Sequence, residues 1–209
     1  RANKLALLNL SKMPKDVRYF VNEIDEELRS KGFTLYLSSG ASVKNDCGMC
    51  GGYFDSFGKT LAVATNVTVE RFISLLCHEF SHYAQAKDKT SIWYDEKINN
   101  NHSKFFYWLG GAKHYKTWEL VQAAIELEKD CEKRALKLIR RRFSHIISPE
   151  EYSRRASIYL FGYIFVHETG KWFTKDLYQH PIVAACKPVL RRKYEVIPPK
   201  LRAAFEECL

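Results

Sequence analysis

The chain has 209 residues, enough for one sizeable hydrophobic core with a small appendage. With 46% hydrophobic and 27% charged residues it reads as a folded protein rather than a disordered one. The net charge of +9 favours acidic partners, and the longest apolar stretch, Ile158 to Val166, falls well short of the roughly 18–20 residues that cross a bilayer, so no membrane partner is expected.

The first predicted element is a helix from about Pro14 to Ser30. Val17, Phe20, Val21, Ile24 and Leu28 share one face, Pro14 suits the first turn, and Gly32 suits the stop. Phe33 to Leu37 reads as a short strand, followed by a polar loop from Ala41 to Asp46. Tyr53-Phe54-Asp55 and Lys59 to Thr65 read as two further strands around a Ser56-Phe57-Gly58 turn. Asn66 to Thr68 can cap a helix that carries Phe72, Leu75, Leu76, His78, Glu79 and His82. Lys87 to Lys116 looks irregular, with an aromatic cluster at Phe105 to Trp108 that anchors a loop or lines a substrate pocket. Thr117 caps a long helix from Trp118 to about Arg141. Ser148-Pro149-Glu150-Glu151 starts another, to about His167, and Pro199 to Cys208 closes the chain.

His78-Glu79-Phe80-Ser81-His82 carries the chemistry. Two histidines four residues apart on a helix lie one turn apart on the same face, where both imidazoles can bind one Zn²⁺ at about 2.0–2.1 Å. Glu79 can reach a zinc-activated water without binding the metal. It would act as general base toward an amide carbonyl and then return the proton to the leaving nitrogen. The apolar flank, Phe72 to Cys77, marks a core helix rather than a solvated one.

The third ligand should come from the helix after Thr117. Val121, Ala124, Ile125, Leu127, Cys131, Ala135, Leu136, Leu138 and Ile139 make an apolar arc, and Glu128 falls near its middle. A buried carboxylate needs a partner or a metal, so Glu128 is the chosen ligand, with Glu126 as its rival on the solvent side. Glu132, one turn on, would accept from the other ring nitrogen of a ligand histidine and orient it. Asp88, ten residues after His78, is a weaker candidate because Gln85 stands where a reversing glycine is needed. His102 and His114 read as loop histidines.

These residues resemble the gluzincin metallopeptidases with a minimal catalytic domain, including metallopeptidases encoded in bacteriophage genomes. Glu128-Lys129-Asp130-Cys131-Glu132-Lys133-Arg134-Ala135 looks like their second motif, with Cys131 for the usual alanine and Glu132 for the aspartate. The resemblance covers about Pro14 to Arg141. It implies a zincin-like α+β fold: N-terminal helix, small three-stranded sheet, HExxH helix and glutamate helix, to which the later helical pattern adds a helical C-terminal extension. The chain itself reads as a single compact unit, a catalytic domain at 1–145 with the helical extension, 146–209, packed on it. The resemblance also implies that Lys59 to Thr65 is a sheet edge to which an extended protein or peptide substrate adds by backbone pairing. An oxyanion stabiliser would come from Tyr107, His114 or Tyr115.

The remaining features are weaker. Cys47-Gly48-Met49-Cys50 offers two of the four ligands of a second zinc, or two redox thiols, but reads better as a turn with incidental cysteines. His167-Glu168 lacks a second histidine. Cys77 and Cys131 on apolar faces point to free thiols and a reduced cytoplasmic setting, in the host if the chain is phage-encoded. The sequons at Asn66 and Asn101 are compatible with secretion. The charge is concentrated at Arg134, Lys137, Arg140 to Arg142, Arg154 and Arg155, then Lys187 and Arg191 to Lys193. Nucleic acid is therefore the alternative partner. An inactive scaffold that retains the fold is the third reading.

Overall fold

The structure, a computed structural model, describes residues 4–46, 48–111, 117–175, 177, 180–187, 190 and 193–209. Cys47, His114, Tyr115, Arg191 and Arg192 therefore lie outside the described residues. The chain divides into two compact units, Arg1–Lys89 and Thr90–Leu209.

In the first unit, α1 (Lys4–Ser11) precedes α2 (Lys15–Ser30), whose buried face is Val17, Phe20, Val21, Ile24 and Leu28. The strands are β1 (Thr34–Ser38), β2 (Val43–Asn45), β3 (Gly48–Cys50), β4 (Gly52–Asp55) and β5 (Thr60–Ala64). Helix α3 (Val69–Lys87) completes the unit. The main sheet has the order β1-β5-β4, with β1 parallel to β5 and β4 antiparallel to it. Strands β2 and β3 form a separate antiparallel pair where a polar loop was expected.

The expectation that Lys59 to Thr65 is a sheet edge is corrected. β5 is the middle strand and is paired on both sides, so its backbone is already committed to the ladder. The reason is visible in its sequence: Leu61, Ala62, Val63 and Ala64 are all fully buried, the pattern of a strand covered on both faces. The end strand beside it is β4. Between them Asp55 Oδ1 accepts from the backbone N–H of Phe57 and of Gly58, each at 2.9 Å, and closes the turn.

The second unit holds α4 (Glu96–Leu109), α5 (Trp118–Arg142), α6 (Pro149–Thr169), the short α7 (Ile182–Ala185) and α8 (Pro199–Glu207). The stretch expected to be irregular instead carries a short 3-10 turn, Ile92–Tyr94, and then α4. Asp95 caps α4 by accepting from Ile98 N–H at 3.0 Å, and buried Phe105 anchors it. The aromatic cluster therefore lies on a helix: Phe105 is in the unit's core, Phe106 and Trp108 pack against that core, and Tyr107 is exposed. Ser148 caps α6 by accepting from Glu151 N–H, and Gly170 ends it at φ 70°, a left-handed stop that glycine takes without strain. No helix among the described residues is long and apolar enough to cross a membrane.

Candidate metal centre

Thr68 starts α3 by accepting from Arg71 N–H at 3.3 Å. Phe72, Ile73, Leu75, Leu76 and Cys77 then bury one side of the helix, which packs on β4 and β5. His78 and His82 follow one turn apart, with ring centroids 4.8 Å apart in an edge-to-face pair. His82 is buried and His78 half-buried.

His82 is held by a partner that the sequence reading passed over. Its Nδ1 lies 2.9 Å from Oε1 of Gln85, which is itself fully buried. A carboxamide oxygen only accepts, so Nδ1 carries the proton and Nε2 keeps its lone pair for a metal. The clue was available, because residues i and i+3 share a helix face. Helix α3 runs unbroken to Lys87, and Asp88 merely caps it with its N–H on Ala84 O. At 1.5 Å per residue Asp88 stands about 15 Å along the axis from His78, too far to share its ion.

Glu79 is 6% exposed. Strand β4 passes directly against it: a Cβ built on Gly52 would lie 2.9 Å from Ala62 O, 3.0 Å from Glu79 Cγ and 3.1 Å from Val63 Cγ1. Only glycine allows that approach. One turn on from Glu79, Tyr83 donates to Glu27 Oε1 at 2.9 Å, and Lys87 Nζ reaches the same oxygen at 2.5 Å, tying α3 to α2. Hydrogen bonds from Lys87 and then Tyr83 hold the Glu27 carboxyl below its ordinary pKa. Burial, followed by the bond to Glu27, pushes the Tyr83 phenol up to about 12.

In the second unit the apolar arc of α5 buries Glu128 and Glu132, at 4% and 6% exposure, as its spacing implies. Glu128 Oε1 lies 3.1 Å from Nε2 of His102, a residue of α4 rather than of a loop. Glu132 Oε2 accepts from Tyr152 of α6 at 2.5 Å, a partner the sequence did not suggest. Glu126 is half-buried and ion-paired at 2.5 Å with Lys129, whose own side chain is buried. Cys131 is fully buried.

The other candidates separate. Cys50 sits on β3 with its thiol 3.8 Å from Val43 O. His167 Nε2 donates to Thr117 O at 3.0 Å and lies between the rings of Trp108 and Trp118.

The donor chemistry of α3 fits a borderline divalent ion such as zinc. It offers two imidazoles on one face, one with its remote nitrogen already committed, beside a carboxylate buried next to them. No protein-family model, curated protein or solved structure matches the chain.

Proposed function

We propose that the protein is a zinc-dependent metallopeptidase of the gluzincin type. One observation carries the reading: buried Glu79 stands beside His82, whose Nδ1 is fixed by Gln85 so that Nε2 is presented as a ligand. Zinc supplies a Lewis acid that brings the pKa of water from about 15.7 to about 7. His78 and His82 would hold the metal. Glu79 stays off it, takes the proton of the attacking water at its carboxylate, and delivers that proton to the departing amine. Strand β4, the end strand that runs against Glu79, offers its backbone to an extended substrate.

The third donor comes from α5. Glu128 is the choice on chemistry, being a buried carboxylate that zinc would stabilise. Cys131, a fully buried thiol three residues on along α5, is its rival, since thiolates also bind zinc. In either case Glu132 stiffens α5 through Tyr152.

Elemental analysis of the native protein beside Glu128→Ala, Cys131→Ala and Glu126→Ala variants tests this. About one zinc per chain, lost with Glu128→Ala, supports the proposed set. Loss with Cys131→Ala instead moves the ligand to the thiol. No zinc after reconstitution sinks the reading. Hydrolysis of an unfolded protein by native protein, absent in zinc-loaded Glu79→Gln, then assigns the base.

A second reading rests on α5. Lys133, Lys137, Arg140 and Arg141 are exposed along its last turns, a basic stripe suited to nucleic acid. Duplex binding that weakens steeply with salt, and that is lost when these residues become glutamate, favours it. An inactive scaffold would show full zinc occupancy without hydrolysis, and the intact Glu79 argues against that.

A further inference from the structure

Helix α1 turns leucines outward: Leu5, Leu7 and Leu8 are 60%, 49% and 53% exposed within a helix of eight residues. A single exposed leucine is ordinary, but three on adjoining turns make a patch that calls for a partner. Their outward setting is held from the other side. Ala6 is fully buried, and Asn9 Nδ2 donates to Thr65 Oγ1 at 3.1 Å, so the rotation of the helix is fixed. Leu5 and Leu8, three residues apart, then share one outer face. The charge around the patch has one sign. From Lys4 to Tyr19 the exposed charged residues are Lys4, Lys12, Lys15 and Arg18, all cations, while Asp16 is half-buried. Lys15 Nζ lies 5.4 Å from the ring centroid of Tyr19, which is itself 55% exposed. Leucines flanked by lysines and an exposed aromatic ring suit a helix lying in the plane of a lipid surface. The apolar side chains enter the acyl boundary, the long lysine stems carry their charges back to the headgroups, and the ring sits between. A protein partner would need a groove shaped to a convex helix, and a bilayer needs none.

We infer that α1 and the start of α2 dock the protein on an anionic lipid surface, with Leu5, Leu7 and Leu8 inserted and Lys4, Lys12, Lys15 and Arg18 on the headgroups. Contact of this kind needs no spanning helix and is independent of the metal centre. Neither signal holds a protein on a membrane alone, so both the leucines and the cations are required.

The test is sedimentation of the full chain with vesicles of phosphatidylserine and phosphatidylcholine in equal parts, beside vesicles of phosphatidylcholine alone. Binding is expected to the first and not to the second, and it weakens as salt rises. The pair Leu5→Ser with Leu8→Ser, at exposed positions, is expected to lower the binding constant about tenfold or more, with the urea midpoint unchanged. The pair Lys12→Glu with Lys15→Glu does the same. Should the leucine pair lower the urea midpoint, Leu8→Gln alone replaces it. Unchanged binding in the leucine variant overturns the inference, because the attraction then belongs to charge alone, the basic stripe of α5 included. No binding to the anionic vesicles, or equal binding to both kinds, overturns it too. Self-association that is lost in the leucine variant, without any binding to lipid, overturns it in favour of a second copy of the chain.

Discussion

Glu79 and Glu128 are both buried glutamates on long helices, and the two units build their surroundings from different materials. Glu79 is packed by a strand: Gly52 brings the backbone of β4 against its Cγ. Glu128 is met by a side chain: the imidazole of His102, itself propped by Phe106, takes one of its oxygens. In the proposed centre, the close approach of a strand would seat the base and an imidazole would meet the candidate ligand.

The contrast can be broken at several points. The largest effect expected is from Glu79→Gln, which keeps shape and removes the proposed base. Peptide hydrolysis should fall about 10²–10⁴-fold with zinc content unchanged, read by turnover and elemental analysis of the same sample. Tyr152→Phe takes the hydrogen bond from buried Glu132 without changing volume, and should cost about 1.5–3 kcal/mol in urea unfolding. If it costs nothing, α5 is not stiffened in that way. Gly52→Ala places a methyl where Ala62 O and Glu79 Cγ already stand, at about 1–3 kcal/mol of stability. It should also lower turnover while leaving zinc affinity intact, and an unaffected turnover would mean that β4 does not shape the setting of Glu79.

The smallest effect concerns pH. The Glu27 carboxyl is held below its ordinary value by Lys87 and Tyr83, so its contribution to folding is present above the usual 4.5 and is lost as pH falls through the lower folded-state value. Glu27→Gln should flatten the acid limb of a stability–pH curve by lowering stability near neutral pH, while leaving it nearly unchanged below the folded-state value. An unaltered acid limb would show that the α2–α3 tie adds nothing.

Much of the scaffold was legible in the sequence. Thr68, the apolar run from Phe72 to Cys77 and the histidine spacing announce α3, and the apolar arc announces the burial of Glu128. What escaped has physical reasons. Asn99-Asn100-Asn101 are poor helix formers, yet the Asp95 cap and the burial of Phe105 outweigh them, so α4 forms and carries His102 out of the expected loop. Strand order is a tertiary property that no local pattern writes down, although four consecutive buried residues in β5 argued for a middle position. The partners of Glu128 and Glu132 come from α4 and α6, 26 and 20 residues away, where periodicity within one helix gives no guidance.

Strand β4 has only four residues and stands at the end of its sheet. A chain pairing with it must offer about 13 Å of fully extended backbone with unspent hydrogen-bonding groups. Helices and interior strands have none to offer, whatever their side chains. Recognition there would therefore sort targets by their state of folding rather than by their sequence, sparing native proteins and admitting loops, tails and unfolded chains.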